Sequence, residues 1–321
     1  MTGPIVVMGD LLLDRDVTGE VARLSPDAPV PVLTEMSTVE RPGGAGLAAT
    51  LLAHDGLPVV LVCAVGTDPA GQLVRSLLAA AGVEVVELPY DGPTPEKVRF
   101  ATGTHQLLRM ERGTAPGTFP NRPISLRGLL DRAPAVLVSD YGRGVTSVTA
   151  VRRDLAALDR TTPVVWDPHP RGATPLPGAS LVCPNRREAT GFCARHGAEL
   201  HDAAGAPPAG AEDSVVQAAA AEARLLRGTW HARAVAVTLG GQGAVLADGE
   251  QSSSVITAPA IHSGDTCGAG DRFAASAAAA FGGGATARHA VQEAVTRASH
   301  YVCAGGPASL TIATTSVEAS T

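Results

Sequence analysis

The 321-residue chain is 45% hydrophobic and 17% charged, enough apolar material for a core and too little charge for a disordered polymer. A net charge of −6 and a pI near 5.8 argue against nucleic acid or a membrane as partner, because both need a positive field. Five cysteines without a CxxC pair give no disulfide or zinc framework. With no basic leader and no apolar run near the ~20 residues of a membrane span, the chain reads as cytoplasmic.

In chain order, Ile5 to Met8 is a short apolar run, read as a buried parallel strand that delivers Gly9-Asp10 at its C-terminal edge. Ligand sites of open α/β sheets gather at such edges. Residues 15–41 carry Pro26, Pro29 and Pro31 and the alternating Val30-Pro31-Val32-Leu33, which predicts exposed strands and turns of a lid. A helix over 45–53, a strand over 59–65, a helix over 70–81 closed by Gly82 and a further strand then repeat the βα alternation. Residues 93–112 interrupt it with two more lid strands.

Strands at 135–139, 164–167 and 181–183 end in Asp140-Tyr141-Gly142, Asp167-Pro168-His169 and Pro184-Asn185. Three consecutive sheet edges therefore carry polar groups. Residues 200–213 read as a flexible surface loop, followed by a helix over 214–226 and a strand over 234–239. The stretch Ser263 to Asp271 is a glycine loop that opens onto an Ala-rich helix over 272–281. A last helix near 285–303 precedes a Ser/Thr/Ala-rich tail, 311–321, that reads as partly disordered.

Gly268, Ala269 and Gly270 can direct backbone N–H groups at one anion, and the helix that follows adds its positive dipole end. Asp271 stands where a carboxylate can take a proton from an attacking hydroxyl. An ordinary first-turn Asp with turn glycines remains the plain alternative.

These residues resemble the PfkB, or ribokinase-like, family of sugar kinases, whose signature Asp-Thr-x-Gly-Ala-Gly-Asp is matched by residues 265–271. Gly9-Asp10 with Asp14, Arg41-Pro42-Gly43-Gly44, Pro184 to Glu188 and Thr238 to Gly243 follow in the family's order. Arg23-Leu24-Ser25-Pro26, Lys97-Val98-Arg99, His105 to Arg109 and Ser139 to Gly144 resemble its heptose 7-phosphate kinase branch. The resemblance implies an α/β fold, a ribokinase-like three-layer α/β/α sandwich with a mostly parallel central sheet and a small β-strand lid. One kinase domain would span 1–310, with lid segments at about 15–41 and 93–112 and a homodimer formed through the lid. The nucleotidyltransferase domain fused to some relatives is expected to be absent.

The implied reaction moves the ATP γ-phosphate to the anomeric hydroxyl of heptose 7-phosphate. In it Asp271 is the base and the Gly268 to Gly270 amides hold the anion. Asn185 and Glu188 match the family's Asn-x-x-Glu element, which acts on Mg²⁺ largely through water, and a monovalent cation is a further option. Thr238, Gly240, Gly243 and Asp265 fall on the nucleotide side. Asp10 and Asp14 would accept sugar hydroxyls, with Gly43 and Gly44 admitting the sugar to the backbone. Lys97, Arg99 and Arg109 would hold the distal phosphate, and Gln106 and Asp140 complete the substrate set. Lys97 is the only lysine among 25 basic residues.

Several positions depart from the pattern. Leu47 stands where the family has a sugar-binding Asn, and His169 where the heptose branch has Lys. Cys267 and Arg272 are further substitutions, and Val295-Thr296 replaces an Asn near the nucleotide. A kinase for another sugar or phosphosugar therefore stays open, as does a catalytically reduced sugar-binding or scaffolding homologue.

Overall fold

Strands that are apolar on both faces need helices on both sides. In the computed structural model, residues 3–103, 105–195, 211–249, 252–260 and 264–310 are described. The first half runs β1 (Ile5–Gly9), β2 (Leu11–Leu24), β3 (Pro31–Gly44), α1 (Ala45–His54), β4 (Val59–Cys63), α2 (Pro69–Ala80), β5 (Glu84–Glu87), β6 (Glu96–Thr102), β7 (His105–Arg112) and α3 (Arg127–Leu130). There follow β8 (Val136–Ser139), α4 (Thr149–Ala156), β9 (Val164–Asp167), β10 (Leu181–Val182), α5 (Arg186–Arg195), α6 (Ala211–Trp230), β11 (Val235–Thr238), β12 (Ala244–Ala247), β13 (Ser254–Ile256), α7 (Ala269–Gly282) and α8 (Ala287–Cys303).

The central sheet has the order β13-β12-β11-β10-β9-β8-β1-β4-β5. It is parallel except where β12 pairs antiparallel with β11 and β13. Alternation along β1 sends Ile5 and Val7 into a core shared with α1, α2, α7 and α8, while Val6 and Met8 enter a second core with α4, α5 and α6. The chain leaves β1 towards β4 and β5, then crosses to β8 on its other side, and this switch point puts the C-terminal edges of β1 and β8 around a crevice.

A second sheet, ordered β3-β2-β6-β7, stands over that edge. Its long β2/β3 hairpin runs in antiparallel register from Leu11↔Gly44 to Leu24↔Pro31, and β6 joins β2 in parallel. Leu24, Val30, Met36, Val39, Leu107 and Leu108 of this lid and its turn are exposed.

Some boundaries differ from the sequence reading for identifiable reasons. The helix expected from 272 begins at Ala269, because Gly268 makes the turn and its carbonyl already accepts the Arg272 N–H at 2.8 Å. The strands β12 and β13 go unread, β13 because it is only 3 residues long and β12 because Ala244–Ala247 follows directly on the glycine turn read as the nucleotide loop. Helices α4 and α5, of 8 and 10 residues and rich in polar side chains, are shorter than the window over which helical periodicity is legible. Residues 211–213, read as loop, belong to α6, while the loop segment 200–210 and the tail 311–321 lie outside the described residues. Among the described residues no helix is long and apolar enough to cross a membrane.

Candidate active site

The site forms where the C-terminal edges of β1, β8, β9 and β10 meet the N-terminus of α7. Gly268 sits at φ 75°, where L side chains rarely go, and a Cβ there would lie 2.6 Å from Leu47 Cδ2 and 2.9 Å from Tyr301 Oη. The turn places the first-turn N–H groups of α7 and its positive dipole end at the crevice. Ala269 spends its N–H on Thr266 O (3.1 Å). Gly268 and Gly270 line the cavity wall, so they are the amides better placed for an anion.

Asp271 follows in the same turn and is 6% exposed. Burial lifts its carboxyl to about 7, the Tyr141 hydroxyl (2.8 Å to Oδ1) and Lys97 pull it down, and Asp14 pushes it up. A carboxyl that titrates near neutrality has the proton affinity a general base needs at that pH. It shares a cavity of about 220 Å³ with Tyr141, Asp167, His169, Glu188 and Gly268. Asp167 is held well above the usual carboxylate range by burial and by the neighbouring Asp271, Glu188 and Asp140. Burial lowers His169 and raises Glu188.

The sequence places Asp10 and Asp140 among the sugar ligands, whereas in the structure their oxygens accept from the loops after β8 and β9. Asp10 accepts the N–H groups of Tyr141 (2.9 Å), Arg143 (2.9 Å) and Val145 (3.0 Å). Asp140 accepts from Gly142 N, Thr146 Oγ1 and Ala173 N. Asn185 and Glu188 form a reciprocal capping box: Asn185 N donates to Glu188 Oε2 (2.9 Å) and Glu188 N to Asn185 Oδ1 (3.0 Å). Both still line the cavity that holds Asp271.

A second cavity, of about 370 Å³, lies beyond Gly270 and is lined by Thr238, Gly240, Gly243, Thr266 and Phe273 with residues of α8. Its size and position suit a nucleotide beside the α7 N-terminus. Asp265 does not line it; its Oδ1 holds the glycine loop through Cys267 N (2.9 Å).

On the lid, β2, β3 and β6 bring Asp14, Asp16, Arg41, Lys97 and Arg99 together. Asp14 is buried, with Lys97 Nζ and Arg99 Nη2 each 3.9 Å from its Oδ1, an atom without a hydrogen-bond partner. Arg41, 4% exposed, pairs with Asp16 at 2.5 Å and leaves Nε and Nη2 unpartnered. Although burial opposes it, the pairing with Arg41 and Arg99 holds Asp16 below the usual range. Gly43 stands against Asp14, where a Cβ would lie 2.7 Å from the carboxylate, and Gly44 leaves room for the Tyr141 ring. Gln106 and Arg109 are not brought in: both are exposed on β7, and Arg109 pairs with Glu111.

Tyr141, Asp167 and Arg41 fall within motifs the sequence reading quotes but to which it gives no role. Each has a sequence signal: a strand-edge position for the first two, and a lone cation before paired glycines for Arg41.

A twisted, mostly parallel sheet between helix layers, a β lid and a buried carboxylate behind a glycine turn define a ribokinase-like phosphotransferase. The chain belongs to the pfkB family of carbohydrate kinases, whose model matches residues 4–314, and it is a sugar kinase. It is 47% identical over 307 residues to the bifunctional protein HldE of Streptomyces coelicolor, covering 96% of this chain and 62% of that protein. Identity to the HldE of Caulobacter vibrioides is 38%, over 90% of this chain and 57% of the relative. The chain thus spans about three fifths of the length of these relatives. Among solved structures, ribokinase from Cryptococcus neoformans in complex with ADP aligns with a TM-score of 0.72 at 20% identity, covering 97% of this chain and 96% of that one. Ribokinase of Arabidopsis thaliana complexed with ribose and ATP gives 0.65 at 22%, covering 94% and 93%.

Proposed function

We propose that the protein transfers the γ-phosphate of ATP to a phosphosugar, heptose 7-phosphate, at its anomeric hydroxyl, giving the 1,7-bisphosphate and ADP. The observation that carries this reading is the placement of a buried carboxylate, Asp271, between a glycine-turn helix N-terminus and a lid face bearing Lys97, Arg99 and Arg41. The similarity to HldE over nearly the whole chain supports it. Asp271 takes the hydroxyl proton as the oxygen attacks phosphorus, and the charge that builds on the moving phosphoryl group meets the Gly268 and Gly270 amides and the helix dipole. Lys97 and Arg99, each about a fifth exposed, offer the cationic face for the distal phosphate, with the buried Arg41 behind them. Asp14, with its free Oδ1, is the sugar-hydroxyl acceptor.

Among the described residues no group of three or more His, Cys, Asp or Glu is set to hold a metal ion directly, which suits an ion bound through water beside ATP, with Asp167 and Glu188 bordering the same cavity. Asn185 and Glu188 would hold Mg²⁺ through water. When bound, the ion neutralises charge on the ATP phosphates. Thr238, Gly240 and Gly243 border the nucleotide. The reading is of a cytoplasmic homodimer that associates through the lid.

A second reading, a kinase for another phosphosugar, draws on Leu47. That side chain is 2% exposed and packs under Gly268, so it offers no hydrogen bond to a sugar. The test is ATP-dependent ADP release on a panel of sugars: heptose 7-phosphate, hexose 6-phosphates, pentose 5-phosphates and the free sugars. The proposal expects kcat/KM for heptose 7-phosphate to exceed the free heptose by at least ~100-fold, since a lost charge-assisted contact costs about 1.5–3 kcal/mol and several contribute. Preference for a different phosphosugar establishes the second reading.

A further inference from the structure

Resting on the kinase reading, we propose that Tyr141 is the positioning residue of the catalytic base: its hydroxyl holds Asp271 Oδ1, solvates the carboxylate where burial starves it of water, and leaves Oδ2 to take the proton. The hydrogen bond is 2.8 Å, and among the described residues Tyr141 is the side chain that hydrogen-bonds Asp271. Elsewhere around the base, Asp14 on β2 and Asp167 on β9 oppose its charge, and Lys97 on β6 favours it. Cys183 after β10 and Tyr301 on α8 face it too, and burial raises both, so they stay protonated and neutral.

Tyr141 is itself fixed on several sides. Its N–H and those of Arg143 and Val145 bind the buried Asp10 carboxylate, which sets the loop. The ring lies against Gly44, where a Cβ would come within 3.3 Å. The His169 ring stacks nearly parallel at 6.5 Å and 17°, and Lys97 Nζ sits 5.9 Å from the ring centroid, within cation–π range. Burial raises the phenol well above its ordinary value, so it remains a donor throughout the working pH range. This accounts for the buried Asp10: it acts at one remove, through the loop that aims the hydroxyl.

Tyr141→Phe keeps the ring and removes only the donor. The carboxylate then loses a hydrogen bond to its charged form, so its proton is held more tightly. In pH profiles of kcat/KM, the wild-type acidic limb is expected near 7, and the variant's about one unit higher. The variant is therefore about tenfold slower at pH 6, below both values, and equal to wild type at pH 9, above both. A fall of the same factor at every pH, or an unmoved limb, overturns the proposal. Titration of the Asp271 ¹³Cγ resonance in ¹³C-Asp-labelled protein, assigned against Asp271→Asn, reads the same displacement without turnover. An inactive wild type would thus sink the kinase reading while this titration still decides the role of Tyr141.

Discussion

In the proposed role of base, Asp271 exchanges stability for chemistry. Its carboxyl titrates near 7 in the fold and near 3.8 in the unfolded chain. Between those values the native state binds the proton that the unfolded state has lost, so stability falls as pH rises from about 4 through 7. Asp271→Asn removes that titration. The variant should unfold at a higher temperature than wild type at pH 8, by the equivalent of about 1–3 kcal/mol, with the gain shrinking towards pH 5. Its phosphoryl transfer should fall by about three orders of magnitude or more. Equal rates for the two proteins would remove Asp271 from the base role. Local motif reading finds this residue because a glycine turn and an acid are neighbours in sequence. It cannot see that Asp10 is taken up by backbone N–H groups more than 130 residues away, bonds that exist only once β1 and β8 lie side by side, or that Asp140 is taken up by Gly142 N, Thr146 Oγ1 and Ala173 N.

At the scale of elements, α5 shows two jobs carried by one pair of residues. The capping box of Asn185 and Glu188 secures the helix start, and the same carboxylate borders the site cavity. The jobs separate by substitution. Glu188→Gln can still accept from Asn185 N, so its thermal stability should stay within about 0.5 kcal/mol of wild type while its Mg²⁺ requirement rises about tenfold. Glu188→Ala should lose about 1 kcal/mol as well, the usual cost of a lost cap. A Gln variant with unchanged Mg²⁺ dependence leaves Glu188 with the cap alone. Elements such as β1, β4 and β8, apolar runs buried on both faces, with β1 and β8 ending in a glycine or polar edge, are legible in the sequence. The 3-residue β13 and the 8-residue α4 are not, because each is too short for its pattern to stand out.

Across the whole molecule, the net charge of −6 is compatible with the phosphosugar proposed as substrate, because a few cations gather locally where β2, β3 and β6 meet. The order of motifs along the chain shows the central sheet and lid, while the partnering of Arg41 and the displacement of Gln106 and Arg109 to the outer strand follow from lid register alone. The lid also presents Met36, Val39, Leu107 and Leu108 to solvent, an apolar face of the kind a second copy covers. Sedimentation at ~10 μM should show a dimer, and Met36→Glu with Leu108→Glu should yield monomer; a wild-type monomer at that concentration refutes lid association.

The most direct test of the central claim is ³¹P NMR of the product formed from ATP, Mg²⁺ and heptose 7-phosphate, with Asp271→Asn as control. The account predicts a second phosphate resonance coupled to the anomeric proton, appearing with stoichiometric ADP in the wild type and absent in the variant. A new phosphate on any other carbon, or none with heptose 7-phosphate while another sugar is consumed, contradicts it.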